Sequence, residues 1–474
     1  MIFRTRVFAL MLMLVLLTPA AIWPQAASAA DSAGDTKAQA IAKQSSVSPL
    51  SAWQLAKAND PSYQAAISER EAGQANRALG RAALLPQINA SAGRSRTRGT
   101  LQAPDARGNV VETDLAYMTR TNQIQASQAL FDWAKIAGAR QGYARADLSL
   151  AVFDTKARDI STRLISRYLQ ALLSYENVAL SRGDLNNSDK NVNIAQRRYD
   201  AGEGTITDVR EATSRRDLSR ANLIQAEDGL AIARRELQAM IGTDPAEILG
   251  LSPDFKPVPL DPPDLAAWQA RAEQANADIQ SSQQNLRVAD REVDKAIGGF
   301  LPTVSAVASR SVNESDSIST RSQNSYYNSI GVQASLSIFA GGQTYAQVQQ
   351  ARHSRDQAGH QLNAAQAQVG VDVTRQYQGV VSGAQRIAAL ETAVSTGALS
   401  LEAMQKSYQG GTRSISDILD AQDQLLTAQR DLAQARLEYV NAHIGLDAVS
   451  GALDDEAIAD ATKAWFGPNI VQLG

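Results

Sequence analysis

Two periodicities divide this chain. In some stretches apolar residues recur every three or four positions, and in others they alternate with small polar ones. The first pattern is clearest at Ile418, Ala421, Leu425, Ala428, Leu432, Ala435, Tyr439, Ala442, Leu446 and Val449, and again at Leu223, Ala226, Leu230, Ala233, Leu237 and Met240. A stripe this narrow is buried by one neighbouring helix, as in a coiled coil. The second pattern is clearest over Ser329–Phe339. There Ile330, Val332, Ala334, Leu336 and Ile338 share one face, while Ser329, Gly331, Gln333, Ser335 and Ser337 share the other. Thr303–Asn313 is a weaker partner, with Val304, Ala306 and Ala308 on its apolar face. Gln87–Arg96 and Tyr117–Phe131 form a second pair. In it Ile124, Ala126 and Leu130 alternate with Gln123, Gln125 and Ser127, and Arg120 and Asn122 interrupt the apolar face near one end. About ten residues of such alternation is the length of a transmembrane β-strand with lipid on one side and water on the other. The intervening Gly99–Asp114 and Asn313–Ser325 read as polar outward loops. Phe131, Trp133, Phe300 and Phe339 sit at strand ends, as an interfacial girdle does.

Proline placement sets the helix lengths. No proline lies between Pro104 and Pro245, nor between Pro302 and Pro468, which permits very long regular elements. A helix is predicted over Ser51–Leu84, with Pro61 at a first-turn position after Asn59-Asp60. A second runs from Trp133 to Tyr199, about 100 Å at ~1.5 Å per residue, and its counterpart runs from Gln343 to Tyr408. Prolines 245, 253, 257, 259, 262 and 263 mark a linker between two halves.

Those halves repeat each other. Tyr199-Asp-Ala-Gly202-Glu-Gly-Thr-Ile206-Thr-Asp208 returns as Tyr408-Gln-Gly-Gly411-Thr-Arg-Ser-Ile415-Ser-Asp417. Leu85-Pro86 returns as Leu301-Pro302, Leu130-Phe131 as Ile338-Phe339, and Gly242 as Gly451. Self-similarity at a nearly fixed offset implies one architecture built twice, here helix, strand, strand, helix. The resulting division is a signal peptide at 1–29, a polar segment at 30–48, repeat 1 at 49–242 with its hairpin near 86–131, a proline-rich linker at 243–263, repeat 2 at 264–451 with its hairpin near 302–339, and a tail at 452–474.

Composition narrows the function classes. Arg4 and Arg6, the apolar run Phe8–Leu17 and Ala27-Ser28-Ala29 have the form of a secretory signal. Removing it takes away two arginines and no acid, so the formal charge moves from −3 to −5. No basic patch with interleaved aromatics points to nucleic acid. Cysteine is absent, which excludes disulfides and an N-terminal lipid-bearing cysteine. No later apolar run reaches the ~18 residues of a membrane-spanning helix. Catalysis and cofactors are not expected: His353 and His360 read as solvated helix residues, and no phosphate loop or nucleophile motif occurs.

Two hairpins supply four strands, which cannot close on themselves, and an open edge in hydrocarbon leaves costly unpaired backbone groups. Copies must therefore share a barrel: two with eight strands, three with twelve, or more, in cyclic symmetry.

From about Leu50 to Leu453 the chain resembles the TolC family of outer-membrane channel-tunnels. The resemblance rests on both Leu-Pro strand starts, the Phe131 and Phe339 strand ends, and both Tyr-x-x-Gly-x(5)-Asp segments. It implies a membrane α+β fold with internal duplication. A homotrimer would form a 12-stranded outer-membrane β-barrel continuous with a 12-helix periplasmic barrel. Its partners would be an inner-membrane transporter of ABC or RND type, a periplasmic adaptor and outer-membrane lipid, and its task the export of drugs or unfolded proteins. It also implies a gate. Tyr408 and Arg413 would bond Asp208 and Thr207, within or between protomers, and Asp417 and Asp420 would form two acidic rings. Carboxylate rings select cations, and crowding of like charge raises their pKa. Thr205-x-x-Asp208 and Ser414-x-x-Asp417 also fit helix capping boxes, so Asp208 and Asp417 have a purely structural reading as well. A competing function is a periplasmic coiled-coil adaptor or scaffold, which accounts for the heptads but not for four alternating strands. An uptake porin accounts for the strands but not for the ~100 Å helices.

Overall fold

In the computed structural model, residues 46–315 and 323–473 are described. The signal peptide and nearly all of the polar segment expected at 30–48 lie outside them. The elements are α1 (Pro49–Asn59), α2 (Pro61–Gln74), α3 (Asn76–Ala82), β1 (Gln87–Pro104), β2 (Val110–Phe131), α4 (Trp133–Asp200), α5 (Ile206–Ile241) and β3 (Glu247–Leu251), and then α6 (Leu265–Ala275), α7 (Ala277–Ile297), β4 (Thr303–Ser315), β5 (Gln323–Ser335), α8 (Gln343–Gln409), α9 (Ile415–Val449), α10 (Asp455–Trp465) and β6 (Phe466–Gln472).

The first helix departs from the sequence expectation. Instead of one run to Leu84 it breaks after Asn59, because Pro61 cannot donate a helical hydrogen bond and Asp60 caps the new start through the Ser62 and Tyr63 amides. Repeat 2 breaks at the equivalent place, where Asn276 caps α7 through the Asp278 and Ile279 amides. Each break is clamped to the end of its own repeat. Asn59 Nδ2 donates to the Ile241 carbonyl at 3.0 Å, and Asn276 Nδ2 donates to the Val449 carbonyl at 2.8 Å.

α4 spans 68 residues and α8 spans 67, each about 100 Å long at ~1.5 Å per residue. α4 packs on α5, and α8 on α9. The main buried cluster lies at the equator of these hairpins, where Trp53, Leu164, Tyr168, Leu237, Tyr439 and Trp465 meet. The proline-rich linker closes over it. The Tyr439 hydroxyl donates to the Val258 carbonyl at 2.7 Å, and the Trp268 indole donates to the Pro262 carbonyl at 2.8 Å. The tail is also ordered there: β6 pairs antiparallel with β3, and Val47 bridges to Ile248.

The four long strands form one antiparallel sheet in the order β1-β2-β4-β5. Two sequence expectations are corrected here. Gly99–Asp114 is not a free loop. The ladder continues from Gly99↔Leu115 out to Pro104↔Val110, because continued pairing satisfies backbone groups that a loop would leave to solvent. The strand expected over Ser329–Phe339 ends at Ser335, opposite Thr303, because Pro302 has no N–H with which to extend the ladder. Of the second expected loop, 316–322 lie outside the described residues.

Candidate functional site

The far tip of the two helical hairpins carries the repeated segment. α4 ends and turns through Gly202 (φ 77°), and α8 ends and turns through Gly411 (φ 74°). The backbone bonds are duplicated. Gly202 N donates to the Tyr199 carbonyl and Glu203 N to that of Arg198, while Gly411 N donates to Tyr408 and Thr412 N to Ser407. A side chain is strained at such positive φ, which accounts for a glycine at both positions.

The helices that follow start in matching capping boxes. The Asp208 carboxylate accepts from the Thr205 amide at 3.0 Å, and Thr205 Oγ1 accepts from the Asp208 amide at 3.2 Å. The Asp417 carboxylate accepts from the Ser414 amide at 2.9 Å and from its hydroxyl at 2.8 Å. Arg413 reaches the other Asp417 oxygen at 3.6 Å. The Ser414 bonds, with Arg413 adding, hold the Asp417 carboxyl below the usual aspartate range. This is opposite to the upward shift expected from crowding, because within one protomer the capping donors are nearer than any like charge. Asp420 lies one turn further along α9 and is exposed.

Tyr408 is buried among Ala195, Ala212, Ile415, Ile418 and Leu419. Its ring lies under the Arg198 guanidinium, 4.5 Å from the centroid, and its carbonyl accepts from Arg198 Nη1 at 2.6 Å. Burial pushes the Tyr408 hydroxyl pKa up, Arg198 opposes this, and Asp208 adds to it. Within one protomer, therefore, the links expected from Tyr408 and Arg413 to Asp208 and Thr207 are not hydrogen bonds. Arg413 engages its own helix, Thr207 is exposed, and Arg198 is the partner of Tyr408.

Sequence reasoning missed a polar seam above this tip. Ser181, Asp184, Ser188 and Asn191 recur at three- and four-residue spacing on α4, and all are buried. Gln422 of α9 sits between two of them. Its Nε2 donates to Asp184 at 2.8 Å, and its Oε1 accepts from Asn191 at 2.9 Å. Ser188 and Ser219 share a hydrogen bond at 3.1 Å, Arg430 donates to Ser181 at 3.1 Å, and Arg215 pairs with Asp423. The heptad spacing of the four polar residues was the available signal, but a search keyed to apolar positions passes over it.

The arrangement has no reacting constellation. It is a bundle end held by polar bonds between two helical hairpins, one from each repeat. Residues 52–243 and 268–452 match the model of the outer membrane efflux protein family. The chain is 33% identical over 409 residues to the alkaline protease secretion protein AprF of Pseudomonas aeruginosa, covering 86% of this chain and 85% of that protein. It is 29% identical to the proteases secretion protein PrtF of Dickeya chrysanthemi, covering 88% and 90%. Among solved structures it superposes on the Campylobacter jejuni CmeC outer membrane channel with a TM-score of 0.73 at 17% identity, covering 88% of this chain and 89% of that one. The chain belongs to the outer membrane efflux protein family, the TolC-like channels of the outer membrane.

Proposed function

We propose that three copies assemble into an exit duct that carries a secreted protein from an inner-membrane transporter, through a periplasmic adaptor, to the outside. One observation carries this reading: the sheet has two free edges, β1 and β5, on strands whose apolar residues share one face. In hydrocarbon each unpaired edge group costs several kcal/mol. Pairing β5 of one copy with β1 of the next removes every edge, and three copies give twelve strands with the helices as a second barrel below. The names of the relatives at 33% and 29% identity, both protease secretion proteins, favour a protein cargo over a small drug.

The tip acts as the gate in this assembly. Arg413 and Tyr408 of one copy meet Asp208 and Thr207 of the next, and Asp417 and Asp420 form rings of three carboxylates that admit cations. The direct test is single-channel recording of the signal-cleaved protein in a planar bilayer. A small cation-preferring conductance, blocked from one side by multivalent cations, is expected. Folded protein that forms no pore would return the periplasmic scaffold to the front.

A further inference from the structure

The four-stranded sheet segregates charge completely. In register, apart from a bulge that sets Phe131 opposite Val304, the even-numbered residues of β1, β2, β4 and β5 share one face and the odd-numbered residues share the other. Among the described residues, the odd face has no charged side chain. It carries Gln87, Asn89 and Ser91 on β1 and Ser305, Ser309 and Ser311 on β4, with uncharged residues throughout the rest. The even face is mainly apolar at the helix-proximal end, with Ile88, Ala90, Ile124, Ala126, Ala306 and Val332, and is interrupted there by Gln128 and Arg310. Ile88, Ile124 and Val332 are more than half exposed.

Beyond that band the same face turns basic. Arg94, Arg96 and Arg98 follow on β1 and Arg120 pairs in register with Arg94, whereas Arg310, opposite Ile124, lies inside the band. All five are exposed. Contacts agree with their facing: Arg94 lies 3.4 Å from the Met118 sulfur, and Arg120 is 4.0 Å from Glu314. Arg94, Arg96, Arg98 and Arg310 make no ion pair among the described residues. The remaining described acids of this face, Glu112 and Asp114, lie further toward the hairpin tip, opposite Gln102 and Thr100.

The geometry points to a lipid-binding belt: Arg94, Arg96, Arg98 and Arg120 form a site for the phosphate groups of the outer-leaflet glycolipid. This rests on the barrel reading above, in which the even face meets lipid. The height fits. Leu130 to Arg120 is ten residues, about 34 Å of strand and ~25 Å along the membrane normal at a tilt of ~45°. If Leu130 marks the inner edge of the hydrocarbon, Arg120 and Arg94 stand at its outer edge. The depth of the belt selects the ligand. Arg94 to Arg98 adds about 14 Å of strand, so the charges are stacked over ~10 Å of height. A phospholipid presents phosphate at one level, whereas a phosphorylated sugar headgroup presents it at several. Guanidinium forks bind phosphate bidentately, and desolvation at the hydrocarbon boundary strengthens the bond.

The test is binding of three probes to detergent-purified trimer, followed by native mass spectrometry: bisphosphorylated lipid A, its dephosphorylated form, and phosphatidylglycerol. At least about tenfold tighter binding of the bisphosphorylated form than of either other probe is expected. The triple variant R94Q/R96Q/R98Q should lose that preference while its conductance in a neutral bilayer stays unchanged. If it does not assemble, Arg96→Gln and Arg120→Gln, made singly, should each weaken lipid A binding about threefold. Equal binding of both lipid A forms, or a preference that survives the variants, overturns the belt. Phosphatidylglycerol bound as tightly as lipid A overturns the glycolipid assignment. A wild type that neither trimerises nor conducts sinks the barrel reading and the belt with it, whereas a conducting trimer that does not discriminate sinks the belt alone.

Discussion

Gln422 ties the two helical hairpins together: it donates to Asp184 at 2.8 Å and accepts from Asn191 at 2.9 Å, with all three side chains buried. The amide uses both of its ends across one seam, so no rotation of α9 against α4 preserves both bonds. A polar group in a heptad seam typically specifies register at some cost in stability. Here it specifies the register of one repeat against the other. Gln422→Leu should leave Asp184 and Asn191 without partners, each costing about 1–3 kcal/mol. The expected outcome is a larger closed-state conductance in planar bilayers. Wild-type conductance in that variant would show that the seam does not hold the gate.

Tyr408 and Arg413 test the gate itself. The double variant Tyr408→Phe with Arg413→Ser should leak current when closed, because it removes the two donors proposed to reach the neighbouring copy. Arg198→Ala should leak as well. It removes a cation–π contact of about 0.5–2 kcal/mol and the bond to the Tyr408 carbonyl. Unchanged single-channel current in both variants would sink the gate assignment.

The proposed acidic rings have a pH signature. Asp417 is held below its usual value of 3.8 by bonds to the charged form, so its folded-state pKa is depressed. The stabilisation it gives is therefore present above the unfolded value and is lost as pH falls through the lower one. Ser414→Ala removes the hydroxyl donor and should move the midpoint for loss of cation selectivity to higher pH. Asp417→Asn with Asp420→Asn should abolish selectivity at neutral pH. Reversal potentials measured in a salt gradient, from acid to neutral pH, check both.

The equatorial clamps predict paired stability effects. Gly451 has φ 78°, and a Cβ there would lie 2.5 Å from the Ala275 carbonyl oxygen. Gly242 has φ 76°, and its Cβ would lie 2.6 Å from Asn59 Cβ. Alanine at either position should destabilise the protein by more than about 1 kcal/mol, through left-handed backbone strain and the clash. Gly451→Ala should be the worse, since backbone is harder to displace than a side chain. Thermal dissociation of the purified oligomer, read on gels, measures the order.

Much of the fold is legible in the sequence alone. The long proline-free stretches, the 3–4 seams and the alternating strands are local signals. Helix and strand periodicity act within a few residues, so α4, α8 and the cores of the four strands can be read from pattern. The capping boxes at Thr205 and Ser414 are legible for the same reason, since both partners lie within three residues. Internal duplication adds the architecture, because a segment that recurs must fold in the same way twice.

Meetings between residues distant in the chain were decided only by the tertiary structure. Gln422 finds Asp184 and Asn191 more than 230 positions away, and Arg198 finds Tyr408 at 210. Nothing local distinguishes Arg198 from Arg197, and only the packing of α4 against the α8–α9 turn selects it. Likewise each strand shows which residues alternate, but only the register across β1, β2 and β4 brings Arg94, Arg120 and Arg310 to one face. Periodicity is a property of the backbone's own geometry. Partnership is decided by which surfaces close on each other, and that depends on the whole chain at once.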